Sequence, residues 1–339
     1  MWRANLIKPG QFAEEEVPIP SVEDDQLLIN VKVCGICGSD IHAFYGKHPF
    51  IKCPIVLGHE FSGVVSAVGT KVKNKWQIGE RVIVEPSLIC GHCYNCRHGR
   101  YNICDELKVI GCQSDGAFAE YIAVPEEKVI PLNDKLSFEE GAMVEPLAVG
   151  VHAVNKAQLK AGQVAVIIGA GTIGLMVTQA AKAIGARVIV SDINETKLEL
   201  AKQLGADNII NSQNAPLSRE LKKLIPERAD VIFECVGAPA TIREAITVAW
   251  KGSKIIIVGV VKDEVPIPVG LIQDRELELV GDLMYMKNDF IQSQNMVIEG
   301  KVKLEPMINK IFNLKEVGKA FAFIETNREH VTKILLRNY

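Results

Sequence analysis

The chain lacks a dominant charge, a long apolar run and any low-complexity stretch, and each absence removes a class of function. Thirty-eight Lys and Arg against 41 Asp and Glu leave a net charge of −3 over 339 residues. That balance gives no electrostatic footprint for a polyanion, so nucleic acid is excluded as a partner. No apolar run approaches the ~18 residues of a membrane span. The longest, "VAVIIGAG" and "KIIIVGVV", have the length of strands and are interrupted by glycine. The opening "MWRANLIKPGQ" has neither the charged nor the apolar region of a signal peptide, and a cytoplasmic protein is expected.

In a reducing compartment, clustered cysteines favour metal over disulfides. Nine are present, and four of them, Cys90, Cys93, Cys96 and Cys104, fall within "CGHCYNCRHGRYNIC". Four thiolates complete a tetrahedral shell around Zn²⁺ and leave no position for water or substrate. Such a site orders a lobe, here about residues 88–106. Gly91, Asn95, Gly99 and Asn102 suit a loop wrapped around an ion, and His92 and His98 are expected in solvent. Cys34, Cys53, Cys112 and Cys235 read as small buried apolar residues. Cys34 and Cys37 form a C-x-x-C, but no βαβ pattern surrounds it and no redox role is expected.

The length suits two domains. The first 150 residues alternate short strands with Gly- and Pro-rich turns: "QLLINVKVCGIC", "EFSGVVSAVG", "ERVIVEPSL" and "GAFAEYIAVP". This texture predicts an irregular, mostly antiparallel β domain. "SFEEGAMVEPLAVGVHAVNKAQL" reads as a helical connector. From Val164 strands alternate with helices through "SKIIIVGVV", which predicts right-handed crossovers and a doubly wound parallel sheet. Beyond about residue 285 the chain turns helical and mixed, ending in the strand-like "VTKILL".

The first strand of the alternating region runs into "GAGTIG", Gly169 to Gly174. In that context Gly169 permits the tight turn, Gly171 admits a pyrophosphate close to the backbone, and Gly174 lets helix and strand pack. Thr172 and Ile173 open the helix whose N–H groups would face the anion. Asp192 ends the second strand 18 residues beyond Gly174. A carboxylate there accepts both ribose hydroxyls of NAD and repels the 2′-phosphate of NADP, so NAD(H) is preferred. The competing reading makes Asp192 a helix cap together with Asn194.

A second set of donors is quieter. Cys37 lies in "CGICGSDIH", His59 and Glu60 in "VLGHEF", and Glu145 in "MVEPLAVGVH". One sulfur, one imidazole and a carboxylate form the mixed set that an open catalytic zinc site uses. Asp40 could accept a hydrogen bond from the far nitrogen of His59.

"CGSDIH", "GHEFSGVV", the four-cysteine lobe and "GAGTIGL" together resemble the zinc-dependent medium-chain dehydrogenase/reductase superfamily, in order along nearly the whole chain. "EPLAVGVHA" and "FECVGAPA" are similar to its polyol (sorbitol), butanediol and sugar-acid dehydrogenase branch. The resemblance implies an α/β chain. A GroES-like β-rich catalytic domain would take residues 1–150 and 286–339, and a Rossmann domain residues 151–285. It implies two zinc ions. The catalytic one would be held by Cys37, His59 and either Glu60 or Glu145, both glutamates counting among the catalytic residues. Ser39 would accept the substrate proton, which would pass through the cofactor ribose to His42 and then to solvent. Sorbitol dehydrogenases carry an Arg-Tyr pair where this chain has Met284 and Tyr285, so the arginine is missing. The expected substrate is a vicinal secondary alcohol of a polyol or sugar derivative, with Phe44, His48 and Tyr285 in its pocket. A butanediol-type or threonine-type dehydrogenase is the alternative, and a non-catalytic zinc protein of the same fold a more remote one. The resemblance further suggests a homo-oligomer, dimer or tetramer.

Overall fold

The computed structural model describes residues 1–338 apart from 226 and 263. Two compact units emerge, Met1–Glu145 with Ile308–Tyr339, and Pro146–Met307. The chain passes from the first to the second inside the helix Phe138–Ala157, at Pro146.

The first unit is built on a long strand, Gln26–Ile36, whose buried positions alternate and then run continuously at its end. Glu60–Val68 and Tyr121–Pro125 pair with it antiparallel, and Lys333–Arg337 joins it at its C-terminal end. Arg81–Val84 and Val129–Pro131 extend the sheet on one side and Ile308–Asn313 on the other. Register matters more than order here. Glu60 stands opposite Gly35, and Ile334 opposite Ile36, so strands far apart in sequence deliver side chains to one spot. A core of Leu27, Ile29, Val31, Phe61, Val65, Phe118 and Leu336 packs beneath them.

The second unit holds six parallel strands in the order Asn208–Asn211, Arg187–Asp192, Val164–Ile168, Val231–Glu234, Lys254–Ile257, Glu278–Gly281. Numbered within the unit this is 3-2-1-4-5-6, the order of a dinucleotide-binding Rossmann sheet. The expected helices appear between the strands. Asn194 caps Glu195–Gln203, its side chain accepting from the Lys197 N–H, and Pro239 opens Pro239–Val248, where its missing N–H costs nothing. The sixth strand is an edge strand with mostly exposed residues, which is why "ELVG" carries little apolar signal.

The division differs from the boundaries expected at 150 and 286. Residues 286–307 group with the second unit, and the reason is polar. His152 Nδ1 lies 2.8 Å from Asp289 Oδ2, and Asn155 donates to Asp289 Oδ1 at 2.9 Å. The same carboxylate accepts the Met286 N–H at the start of the helix Lys287–Ile298. On the other side His152 Nε2 lies 3.8 Å from Asp282. Burial pushes His152 down and Lys156 opposes its charge slightly, but the Asp289 hydrogen bond and Asp282 outweigh both, and its pKa is raised. Burial lifts Asp282 itself to about 6.

A raised histidine pKa stabilises the fold below the unfolded value of ~6.5, and that contribution is lost as pH climbs through the folded value. Asp282, also raised, acts in the same sense at lower pH. Denaturant midpoints for the native protein should therefore fall between about pH 6 and pH 8. Asp289→Asn should be weaker near the acid end of that window and show a flatter profile. Parallel curves for the two proteins would refute the assignment.

Candidate metal centres and dinucleotide site

The loop after the strand Ser87–Leu88 folds back on itself so that Cys90, Cys93, Cys96 and Cys104 converge, their sulfurs all within 4.8 Å of one another. Cys90 and Cys104 lie 3.5 Å apart, and Cys93 and Cys104 4.0 Å. Zinc–sulfur bonds of about 2.3 Å in a tetrahedron separate sulfurs by about 3.8 Å, so the cage has the size of that ion. Backbone N–H groups already point at the sulfurs: Cys93 N at Cys90, Cys96 N at Cys93, and Cys90 N and Glu106 N at Cys104. The N–H groups of Asp105 and Cys96 draw the Cys93 thiol down to about 6. Gly91 and Gly99 take φ of +74° and +71° at the turns between ligands. His98 stacks on Tyr94, and His92 faces Glu106 at the surface, both outside the cage.

The second cluster is assembled by the first unit's sheet. Cys37 follows the long strand directly and caps the helix Gly38–Phe44, its N–H bonded to Asp40 at 2.8 Å. Glu60 opens the neighbouring strand with His59 just ahead of it, and donor atoms of Cys37, His59 and Glu60 lie within 4.8 Å of each other. His59 and Glu60 are buried at 6% and 1% exposure, which is unusual for a carboxylate without a partner. Its partner is Lys333, itself buried, with Nζ 2.7 Å from both Glu60 oxygens and 3.2 Å from the Ile36 carbonyl. Sequence reading missed this lysine; the signal available was a lone charge inside the apolar run "VTKILL".

His59 Nδ1 faces Asp40 Oδ1 at 3.8 Å, too long for the expected hydrogen bond, and neither atom has another partner. Burial pushes His59 down, but Asp40, Cys37 and Cys112 outweigh it and its pKa stands well above the ordinary value. With Nδ1 turned to Asp40, Nε2 is the nitrogen left for a metal. Cys112, expected to be a plain core residue, is buried beside this ring. Cys34 is likewise buried near Glu60 and Asp40, and burial lifts its thiol far from ionisation. Glu145 is buried on the helix Phe138–Ala157, close enough to Lys333 to raise its pKa, but outside the three-donor set. Thiolate, imidazole and carboxylate are a zinc donor set with room for a further ligand.

Ser39 lies two residues beyond Cys37, with a buried Oγ that has no hydrogen-bond partner. His42, one turn on along the same helix, is exposed. The residues expected in the substrate pocket make contacts of their own. Phe44 packs between Phe12 and Phe321, and His48 Nδ1 accepts the N–H groups of Phe50 and Ile51. Tyr285 is buried against Phe290 in the second unit.

In the second unit, the strand Val164–Ile168 turns through Gly169, at φ +103°, into the helix Thr172–Ala183. A Cβ on Gly174 would stand 1.8 Å from the Gly169 carbonyl oxygen, whereas one on Gly171 would meet nothing within 4 Å. Contact at one glycine and open space at the other are what packing and ligand approach respectively require. Asp192 accepts from Ala170 N at 2.6 Å and from Asn194 N at 2.8 Å. It ties the glycine turn to the end of the second strand, while Asn194 performs the capping.

Family models agree with this architecture. Residues 23–134 match the alcohol dehydrogenase GroES-like domain, and residues 172–299 match the zinc-binding dehydrogenase domain. The chain is 36% identical over 314 residues to a sorbitol dehydrogenase of Bacillus subtilis, covering 90% of this chain and 88% of that one. The chain belongs to the zinc-dependent medium-chain dehydrogenases. A Saccharomyces cerevisiae D-xylulose reductase is 37% identical over 327 residues, covering 93% and 92%. An Escherichia coli CFT073 alcohol dehydrogenase solved with NADH superimposes with a TM-score of 0.94 at 32% identity, covering 99% of each chain. This member of the family is an alcohol dehydrogenase of the polyol branch. Among its described residues no helix is long and apolar enough to cross a membrane.

Gly174→Ala should push the turn off its strand, since the clash is with backbone. Overpacking of this kind costs about 1–3 kcal/mol. NADH titration by fluorescence should show binding weakened by on the order of tenfold or more. Native affinity in the variant would remove the turn from the site.

Proposed function

We propose that the protein oxidises a secondary alcohol of a polyol or sugar-derived substrate, using NAD, at a zinc centre held by Cys37, His59 and Glu60, with Glu145 beside it. The reading rests above all on that sulfur, nitrogen and oxygen set, in which His59 and Glu60 are buried and Cys37 half-buried, with the unpartnered Ser39 hydroxyl two residues beyond Cys37. The sorbitol, xylulose and NADH associations of the relatives support it. Bound zinc would acidify the substrate hydroxyl at neutral pH, and bound NAD would take the hydride from the carbinol carbon.

The chain supplies the rest. Ser39 Oγ accepts the proton leaving the substrate hydroxyl and gives up its own in the same step, on the way to His42. His42, exposed one turn away, hands a proton to solvent. Asp40 faces His59 Nδ1 across 3.8 Å and attracts it as a charge, without a hydrogen bond. Asp192 keeps a lone pair on each oxygen for the ribose hydroxyls beyond its two backbone bonds, and this favours NAD over NADP. The four-cysteine cluster, with a second zinc, braces residues 88–106. We assign the enzyme to the cytoplasm, as a homo-oligomer.

A panel of sorbitol, xylitol, sugar acids, 2,3-butanediol and threonine with NAD and with NADP, followed at the NADH absorbance band, tests the assignment. Turnover of polyols with NAD is expected, and reaction of butanediol or threonine alone would replace the polyol reading. Ser39→Ala should lower kcat by about 100-fold or more while the zinc content stays that of the native protein. An unchanged kcat would remove Ser39 from the proton path.

A further inference from the structure

We propose that Lys333 and the metal compete for Glu60. Lys333 is a positioning residue that neutralises Glu60 when the centre is empty, and it makes Glu60 the exchangeable donor when the centre is filled. The inference rests on the reading of Cys37, His59 and Glu60 as a zinc centre.

The pair is built by the sheet and not by chance contact. Glu60 and Lys333 lie on the two strands that flank the end of Gln26–Ile36. Their side chains meet across Gly35, where a Cβ would stand 2.1 Å from Glu60 Oε2. Only a residue without a side chain leaves that passage open. The ammonium has three acceptors, both Glu60 oxygens and the Ile36 carbonyl, and so its three protons are satisfied. Side-chain exposures of 2% and 1% leave no water to take either charge. Cys37 and Glu145 face the same ammonium, and both favour its charged form.

A dication entering the donor set meets this cation one carboxylate away. The two repel, and each is drawn to the same two oxygens. Removing the ammonium therefore acts on both sides of the binding equilibrium. The metal-free protein loses the only cation compensating Glu60 among the contacts described, and the metal-loaded protein loses a repulsion. Both changes widen the gap between the two forms. A lysine that merely propped the carboxylate toward the metal would do the reverse, and its loss would release metal.

Lys333→Met decides between these. Zinc release to a chromogenic chelator is followed from the loaded protein, with Cys96→Ser marking the share that belongs to the four-cysteine cage. Melting temperature is read with and without metal. The second zinc should leave Lys333→Met on the order of tenfold more slowly than the native protein. The metal-free variant should melt on the order of 10 °C lower, so metal raises its melting point more than the native one. Lys333→Arg, which keeps the charge, should behave as native in both. In a Glu60→Gln background Lys333→Met should no longer slow release. If metal-free Lys333→Met fails to fold, release from the loaded protein still decides. Release from Lys333→Met as fast as or faster than native overturns the competition. A native protein that holds zinc only in the four-cysteine cage overturns the zinc reading of Cys37, His59 and Glu60 together with it.

Discussion

A carboxylate and an ammonium shut away from water face each other at the end of the strand Gln26–Ile36, and the first unit is arranged to let them do so. Neither charge is tolerable alone at that depth. Holding both needs the register that sets Glu60 opposite Gly35, the C-terminal strand that returns Lys333 to the same place, and a glycine between them. The same strand end presents Cys37, and the strand beginning at Glu60 is preceded by His59. Once the pair is fixed, the donor set follows from the backbone.

The two metal centres differ in what the fold asks of them. The four-cysteine cage is made by a loop that supplies its own N–H groups to its sulfurs, and its dimensions are those of a closed zinc shell. It draws on about fifteen consecutive residues and little else. The Cys37, His59 and Glu60 cluster is drawn from the ends of two paired strands, with Lys333 brought to Glu60 by a third strand most of the chain away, and Ser39 Oγ, Asp40 Oδ1 and His59 Nδ1 have no hydrogen-bond partner. A closed site braces, whereas an incomplete one beside an idle hydroxyl has room for a reactant.

Much of this was legible in the sequence, for reasons that can be named. Local features announce themselves: the cysteine spacing of the cage, the strand–GAGTIG–helix order, Asn194 ahead of its helix. Each depends on residues within a turn or two. What escaped depends on pairing between distant segments. Lys333 is separated from Glu60 by 273 positions, and only sheet register brings them together. Asp289 reaches back 137 positions to His152 and carries residues 286–307 into the second unit.

On the proposed function, Cys37, His59 and Glu60 carry the chemistry and the four-cysteine cage carries only a loop. Metal content and dehydrogenase activity of Cys37→Ala, measured on one preparation, test it most directly. The expected result is a protein with the four-cysteine zinc alone, folded, and without turnover. A Cys37→Ala protein that keeps the native zinc content and oxidises its substrate at the native rate would contradict the claim.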